Sequence, residues 1–277
     1  MKSFRKVTYL LLLLLALSAV SYTQSPEGPR LATPETFKNE FASVPCAENG
    51  RMDAARSLFE KMGATDAELK VERYKRAENL VLRKPGVGAG TIVIGAHYDK
   101  VEKGCGAVDN WTGVVTIANV YRTLRDVPLK KTVLFVAFGN EEKGLFGSHA
   151  MADAIDKTEL DQYCAMINVD SLGLAAPQGL DNTSSRRMIQ LAESLAKELK
   201  MPFSHASVSG SDADSSSFLK RKIPALTIHG MSRDWSTILH TRNDQASRVN
   251  TDHVYLGYRL ALAMLLRVDQ SNCAAFR

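Results

Sequence analysis

The chain lacks the signatures of several common enzyme classes. It contains no GxSxG motif, and none of its four cysteines adjoins a residue that could act as a base, so neither a serine nor a cysteine nucleophile is indicated. The glycine-rich segment KPGVGAG does not end in GKS or GKT, which excludes a phosphate-binding P-loop. The segment that begins at Asp212 has Ser217 and Ile223 where a calcium-binding loop requires glycine and glutamate.

The chain also has little excess of positive over negative charge once the first residues are set aside. The net charge of +5 includes Lys2, Arg5 and Lys6, and it falls to about +2 without them. No segment carries a basic stripe, so the sequence predicts no nucleic-acid partner. With 277 residues, 45% of them hydrophobic and 23% charged, the chain is typical of a protein with one full globular core.

The three early cations precede the apolar run VTYLLLLLLALSAV, and small residues lie at its C-terminal end, at Ala19 and Ser21. This order predicts a secretory signal peptide over residues 1–23 and a secreted or periplasmic protein. An uncleaved membrane anchor is the alternative, although the run is short for a span of roughly 20 residues. Because no later segment is apolar enough to cross a membrane, no stable anchor is expected after removal of the leader. Residues 24–34 are predicted to be a linker, and residues 35–277 a single domain.

Short apolar runs alternate with helical patterns along most of this domain. Strands are predicted over residues 69–74, 79–83, 91–96, 132–138, 165–169 and 225–229, and helices over residues 110–125, from about 145, over 184–200 and over 251–268. A helical region over residues 35–62 is interrupted near Pro45 and Gly50. Strands that alternate with helices indicate an α/β fold with a largely parallel central sheet and helices on both faces.

Polar side chains that suit metal binding follow the apolar runs or lie close to them. They are His97, Asp99 and Asp109 in GAHYDKVEKGCGAVDN, Glu141 and Glu142 in AFGNEEKGLFGS, Asp170 in NVDSLG, and His240 in ILHTRNDQ. The ends of buried strands meet along one edge of an α/β sheet, where such folds place their sites. Histidine and carboxylate ligands suit zinc, and a carboxylate that bridges suits a pair of metal ions.

Each of these residues also has a purely structural interpretation. Asp109 precedes a predicted helix and could be its N-cap, while Glu141 and Glu142 could be solvated acids at the start of the next helix. Adjacent carboxylates at a buried strand end repel each other, however, unless a cation offsets their charge or one holds a proton. A metal ligand at Glu142 beside a general base at Glu141 would resolve this repulsion. The remaining histidines, His149, His205, His229 and His253, are interpreted as surface or core residues.

The ordered motifs HYD, GAVDN, NEEKGLFGS, NVD and HTRND resemble those of the exported bacterial zinc aminopeptidases with two co-catalytic metals, whose relatives include glutamate carboxypeptidase II and the glutaminyl cyclases. The resemblance covers roughly residues 97–244. It implies a mixed, mainly parallel sheet with helices on both faces. It also implies that His97, Asp109 and Asp170 hold one zinc ion and that Asp109, Glu142 and His240 hold the other. Glu141 then matches the general base, and Asp99 the carboxylate behind His97.

Three functions are compatible with this resemblance. The first is a two-zinc aminopeptidase, in which a hydroxide that bridges the metals attacks peptides with a free N-terminus. The second is a glutaminyl cyclase, which forms N-terminal pyroglutamate with one zinc and needs only the counterparts of Asp109, Glu142 and His240. The third is a non-catalytic binding module, which would have lost ligands that this chain retains. The presence of His97 and Asp170 favours the aminopeptidase. The chain departs from the family at Leu239, where some members carry a tyrosine that could stabilise the oxyanion.

The four cysteines permit two disulfides in three pairings, and their spacing matches no zinc finger. If Asp109 and Asp170 approach one ion, Cys105 lies above the metals, whereas Cys164 lies about 20 Å lower on its strand at ~3.3 Å per residue. Cys105 and Cys164 are therefore not expected to pair, because a disulfide needs Cα atoms within about 7 Å. Cys164 is predicted to be a buried thiol, and Cys46 with Cys273 is the first pair to test, since domain termini often lie close together.

Overall fold

A computed structural model describes residues 31–277 of the chain. The predicted signal peptide and most of the predicted linker lie outside these residues. The helices are α1 (Pro34–Glu40), α2 (Arg51–Lys61), α3 (Thr112–Leu124), α4 (Phe146–Ala154), α5 (Arg186–Glu198), α6 (Ser215–Lys220) and α7 (Thr251–Gln270). The strands are β1 (Leu69–Arg73), β2 (Glu78–Lys84), β3 (Thr91–His97), β4 (Thr132–Phe138), β5 (Tyr163–Val169), β6 (Gln178–Leu180), β7 (Ser204–Ala206) and β8 (Ala225–His229).

These strands form one mixed sheet in the order β1-β2-β4-β3-β5-β8-β6-β7. The four central strands, β4, β3, β5 and β8, run parallel to one another. On one side, β2 is antiparallel to β4, and the edge strand β1 is antiparallel to β2. On the other side, β6 is antiparallel to β8 and parallel to the edge strand β7. The parallel centre brings the C-terminal ends of β3, β4, β5 and β8 to the same edge of the sheet.

Helices cover both faces of the sheet, which explains the nearly continuous apolar sequences of its central strands. On one face, Ile92 and Ile94 of β3 pack in the core cluster that includes residues of α2, α3, α5 and α7. On the other face, Val93 packs with residues of α4 and α6 in a second cluster. Side chains alternate between the two faces of a strand, so a strand that is covered on both sides must be apolar at every position. The predicted fold class is confirmed.

The predicted strands and helices are all present, with ends that differ by a few residues. The interruption near Pro45 and Gly50 is confirmed as the break between α1 and α2. The strands β6 and β7 were not predicted, because each has only three residues and no recognisable alternation of apolar and polar side chains. Among residues 31–277, no helix combines the length and apolar character that a membrane span requires.

The predicted pairing of Cys46 with Cys273, and the predicted free thiol at Cys164, are wrong. The disulfides are Cys46–Cys105 and Cys164–Cys273, with Cα atoms 4.0 and 4.3 Å apart. Cys105 and Cys164 do not form a disulfide with each other, as expected from their positions at opposite ends of the sheet.

Two anchoring side chains explain the observed pairs. The buried guanidinium of Arg51 donates hydrogen bonds to the carbonyl oxygens of Pro45 and Cys105, which brings residue 46 to the loop after β3. Lys131, just before β4, donates through Nζ to the carbonyl oxygens of Asp269 and Ser271 at the end of α7. The C-terminal chain therefore passes the N-terminal edge of the sheet, where β5 begins with Tyr163 and Cys164.

Candidate metal centre

A row of three side chains crosses the C-terminal edge of the sheet. The parallel registers pair Gly95 of β3 with Asn168 of β5, and Val169 of β5 with Ile228 of β8. When these registers are continued toward the C-terminal ends of the strands, His97, Asp170 and His229 lie at one level. Residues paired in this way project from the same face, here the face covered by α4 and α6. Nε2 of His97 lies 3.7 Å from Oδ1 of Asp170, which places the first histidine and carboxylate within reach of one metal ion.

Asp109 lies between the two predicted ligand histidines. Its Oδ1 is 3.1 Å from Nε2 of His97, and its Oδ2 is 3.0 Å from Nε2 of His240. The residue belongs to an irregular turn, Ala107–Trp111, in which Asp109 and Asn110 are non-helical and joined by a cis peptide bond. Asp109 is therefore not the N-cap of α3, which begins at Thr112. Each of its oxygen atoms faces a different histidine, as a bridging carboxylate requires.

The adjacent glutamates approach the two histidines from the end of β4. Oε2 of Glu142 lies 3.2 Å from Nε2 of His240, whereas Oε2 of Glu141 lies 4.0 Å from Nε2 of His97. Both side chains are largely buried. The structure thus brings all five predicted ligands and Glu141 together, and groups of their ligand atoms, such as those of His97, Asp109 and Glu142, lie within 4.8 Å of one another.

Asp99 supports both His97 and the glutamates. The main-chain carbonyl of Asp99 accepts a hydrogen bond from Nδ1 of His97 at 3.2 Å, and its carboxylate oxygen lies 3.6 Å from the same atom. With its proton on Nδ1, the neutral ring leaves Nε2 free to bind a metal. The two carboxylate oxygens of Asp99 also accept the backbone N–H groups of Glu141 and Glu142, at 3.0 and 3.2 Å. Asp99 therefore fixes the turn that carries the glutamates.

A third connection joins the segments of Asp109 and Asp170. Nδ2 of Asn110 donates to the carbonyl oxygen of Val169 at 2.9 Å, and its Oδ1 accepts the N–H groups of Gly113 and Ser171. Asn110 is completely buried, so the sequon Asn110-Trp111-Thr112 offers no accessible amide for glycosylation in the folded chain.

The clustered carboxylates of the site favour positive charge beside them. Burial raises the pKa of Glu142, and the charge of Asp109 raises it further. Hydrogen bonds that Nε2 of the protonated His240 ring donates to Asp109 and Glu142 raise the pKa of His240 to about 10. Burial alone would lower the pKa of His97, but the surrounding carboxylates, Glu141 first among them, raise it well above its usual value. Protonated histidines thus compensate the acidic cluster, and divalent ions would supply the same compensation.

The donor set fits zinc. Histidine nitrogen and carboxylate oxygen are its usual ligands outside cysteine sites. Oε1 of Glu142 is buried, and among the described residues it has no hydrogen-bond partner. A buried carboxylate oxygen without a partner carries an energetic cost that a bound cation would remove.

A cavity of about 310 Å³ opens over these residues. Leu180, Met231, Trp235 and Leu239 form part of its apolar wall, and Thr227 and His229 contribute polar groups. His229 is therefore a buried residue of the cavity, which its sequence context did not indicate. Its Nδ1 accepts the N–H of Met231 at 3.2 Å, so the neutral ring has its proton on Nε2. Burial lowers the pKa of His229 to about 4 and keeps the ring neutral near pH 7.

A buried acid that affects the site electrostatically, and that the sequence did not indicate, is Asp214 at the start of α6, whose charge adds to the effect of burial in raising the pKa of Glu141. Its side chain is fully buried, and burial raises its pKa to about 7, against the opposing effects of His97 and Ser148. Asp214 is the residue that immediately precedes α6 (Ser215–Lys220). The other three histidines, His149, His205 and His253, do not line the cavity.

The fold and this cluster define a class of protein with a carboxylate- and histidine-lined centre at the end of a parallel sheet. Residues 79–264, more than half of the chain, match the sequence model of Peptidase family M28. The chain belongs to this family, which confirms the resemblance found in its sequence. The matched segment includes every residue of the candidate metal centre.

Curated relatives are similar over parts of the chain. Aminopeptidase YwaD of Bacillus subtilis is 34% identical over 113 residues, which are 39% of this chain and 25% of that protein. Leucine aminopeptidase 2 of Trichophyton equinum is 30% identical over 154 residues, which are 51% of this chain and 31% of that protein. The chain thus corresponds to less than a third of either relative's length.

Two solved structures share the fold. A zinc aminopeptidase from Bacillus subtilis superposes with a TM-score of 0.64 and 22% identity, over 70% of this chain and 50% of its own. A glutaminyl cyclase from an Acidobacteriales bacterium superposes with a TM-score of 0.76 and 18% identity, over 89% of this chain and 98% of its own. At these identities the likeness concerns the fold alone.

Proposed function

We propose that this protein is a metalloaminopeptidase that uses two zinc ions to remove N-terminal residues from peptides. The observation that carries the proposal is the position of Asp109, whose two oxygen atoms lie 3.1 and 3.0 Å from the Nε2 atoms of His97 and His240. A single-metal site needs only one of these contacts. The names of the curated relatives, which are aminopeptidases, support the same assignment.

Under this proposal, His97, Asp109 and Asp170 hold one ion, and Asp109, Glu142 and His240 hold the other. Zinc bound there would polarise the scissile carbonyl group and activate water for attack. The hydrogen bond from Nδ1 of His97 to the carbonyl oxygen of Asp99 holds the ring with Nε2 toward the metal. Asp109 serves both ions, so its orientation matters more than that of any other ligand.

Glu141 is proposed to be the general base. Burial raises the pKa of its carboxyl group well above the usual value, although His97 opposes this shift. A carboxylate with a raised pKa can take a proton from the attacking water and pass it to the leaving amine. The hydrogen bonds from its own N–H and that of Glu142 to Asp99 keep Glu141 beside the metal centre while Glu142 contacts His240.

The substrates are proposed to be peptides with a free N-terminus, whose first side chain enters the cavity beside Leu180, Met231 and Trp235. We also propose that the chain is exported, as a secreted or periplasmic protein, on the basis of its leader sequence. Neither nucleic acid nor a lasting membrane anchor is part of the proposal.

A glutaminyl cyclase is the second candidate, and one observation favours it. The structural match extends over 98% of the Acidobacteriales cyclase chain, but over only 50% of the chain of the Bacillus subtilis aminopeptidase. Against it stand His97 and Asp170, which a single-zinc cyclase does not need and which lie 3.7 Å apart here.

A substrate panel separates the two candidates. The zinc-loaded protein is incubated with aminoacyl 4-nitroanilides and, separately, with a peptide that begins with glutamine. We expect release of nitroaniline and of the free first residue. Conversion of the glutaminyl peptide to pyroglutamate without hydrolysis of the anilides would favour the cyclase.

A further inference from the structure

The loop after His240 holds the loop before Asp109 at three points. The carboxylate of Asp244 accepts the backbone N–H of Val108 through Oδ1 at 2.7 Å and that of Asp109 through Oδ2 at 3.1 Å. The main-chain carbonyl of Asp244 accepts the N–H of Cys105 at 2.7 Å. Asp244 is only 2% exposed, so these hydrogen bonds have little competition from water.

The two loops also approach each other closely at Gly104. A Cβ atom at this position would lie 2.4 Å from the carbonyl oxygen of Thr241, and the φ angle of Gly104 is +74°. Only glycine allows such an approach together with this backbone conformation. The contact between the loops is therefore built into the backbone of both and does not depend on the Asp244 side chain alone.

We propose that Asp244 is a positioning residue for the metal centre, which directs the two oxygen atoms of Asp109 to the two histidines. This inference rests on the proposed two-zinc function. A carboxylate that accepts two successive N–H groups fixes the peptide plane between them and, with it, the direction of the following side chain. Here that side chain is the bridging Asp109. Because Asp244 and His240 lie in the same loop, the position of the histidine is coupled to that of the bridge.

The segment that carries Glu141 and Glu142 is held in the same manner. Asp99 accepts the successive N–H groups of Glu141 and Glu142, as Asp244 accepts those of Val108 and Asp109. In both cases the supporting carboxylate follows a ligand histidine by a few residues. The segment of His97 thus positions the two glutamates through Asp99. In the same way, the segment of His240 positions Asp109 through Asp244.

The test is the substitution Asp244→Asn, which keeps the size of the side chain but turns an NH₂ group toward one of the two N–H donors. Removing a group that orients metal ligands typically lowers metal affinity roughly 10- to 100-fold. We expect a loss of zinc affinity in this range by competition with a chelator. We also expect the visible absorption spectrum of the Co²⁺-loaded protein to change, because the ligand geometry changes.

Asp269→Asn is the matched control. Asp269 is also a fully buried carboxylate that accepts a backbone N–H, from Lys131 at 2.8 Å, but it belongs to α7 at the opposite edge of the sheet. We expect Asp269→Asn to lower thermal stability while zinc affinity and the Co²⁺ spectrum stay as in the wild type. If Asp244→Asn does not fold, as judged by circular dichroism, Asp244→Ser retains one acceptor and is measured in its place.

Two results would overturn the inference. One is an unchanged zinc affinity and Co²⁺ spectrum in the Asp244 variant. The other is an equal loss of zinc affinity in the Asp244 and Asp269 variants, which would show a general effect of destabilisation. A wild-type protein that binds no zinc would instead reject the proposed function itself, and this inference with it.

Discussion

The Nε2 atom of His240 lies 3.0 Å from Oδ2 of Asp109. The two residues come from different loops, and the hydrogen bonds of Asp244 hold these loops together. The opposite oxygen of Asp109 faces His97. A carboxylate that is shared in this way connects the His97 side of the centre to the His240 side.

Glu141→Gln keeps the size of the side chain but removes the base. Because Glu142 and not Glu141 contacts His240, we expect this variant to retain zinc. Turnover should fall roughly 10²- to 10⁴-fold, the usual range for the loss of a general base. Elemental analysis and steady-state kinetics check both parts, with Glu142→Gln as the comparison that should lose metal. Loss of zinc from the Glu141 variant would mean that the roles of the two glutamates are reversed.

Asp109→Asn should reduce metal content more than the substitution of any other ligand, because Asp109 faces both histidines. The expected ranking is measured by dialysing Asp109→Asn, Asp170→Asn and Glu142→Gln against the same zinc buffer. Native affinity for both ions in the Asp109 variant would contradict its role as the bridge.

Zinc binding should release protons and become tighter as the pH rises. The pKa of His240 is raised to about 10 and that of His97 is also raised, so both rings hold a proton in the metal-free protein near pH 7. Each proton must leave before the nitrogen can bind zinc. Affinity should therefore fall roughly tenfold per pH unit on acidification for every proton displaced. Isothermal titration calorimetry in buffers with different ionisation enthalpies counts these protons, and an absence of proton release at pH 7 would refute this expectation.

The two disulfides should have different effects on the metal centre. Replacing either pair by serine should lower the free energy of unfolding by about 2–5 kcal/mol. Only Cys46→Ser with Cys105→Ser should also lower zinc affinity, because Cys105 lies in the loop that leads to Asp109. Cys164 and Cys273 pair at the opposite edge of the sheet, which makes the second double variant the control. Equal zinc affinities in the two variants would show that the first disulfide does not support the site.

The central strands and the candidate ligands could be predicted from the sequence, and the reason is physical. Runs such as TIVIGAH and TVLFVAF are apolar throughout because both faces of their strands are covered, and a polar residue at the end of such a run must lie at the edge of the sheet. The sequence alone was therefore enough to place His97 and the glutamates after Phe138 at the edge of the sheet. Their roles as ligands and base remain predictions.

The features that the sequence did not indicate depend on tertiary placement. His229 resembles any histidine at the end of a strand until the register sets it level with His97 and Asp170. The pairing of Cys46 with Cys105 depends on the contacts of Arg51, and the supporting role of Asp244 on the approach of two loops. Short-range patterns do not encode these distances.

Anomalous X-ray diffraction at the zinc absorption edge, from crystals of the zinc-loaded protein, would show whether Asp109 bridges two zinc ions. We expect two anomalous peaks, one between Asp109, His97 and Asp170 and the other between Asp109, Glu142 and His240. A single peak beside Glu142 and His240 in a fully active protein would contradict the two-zinc account.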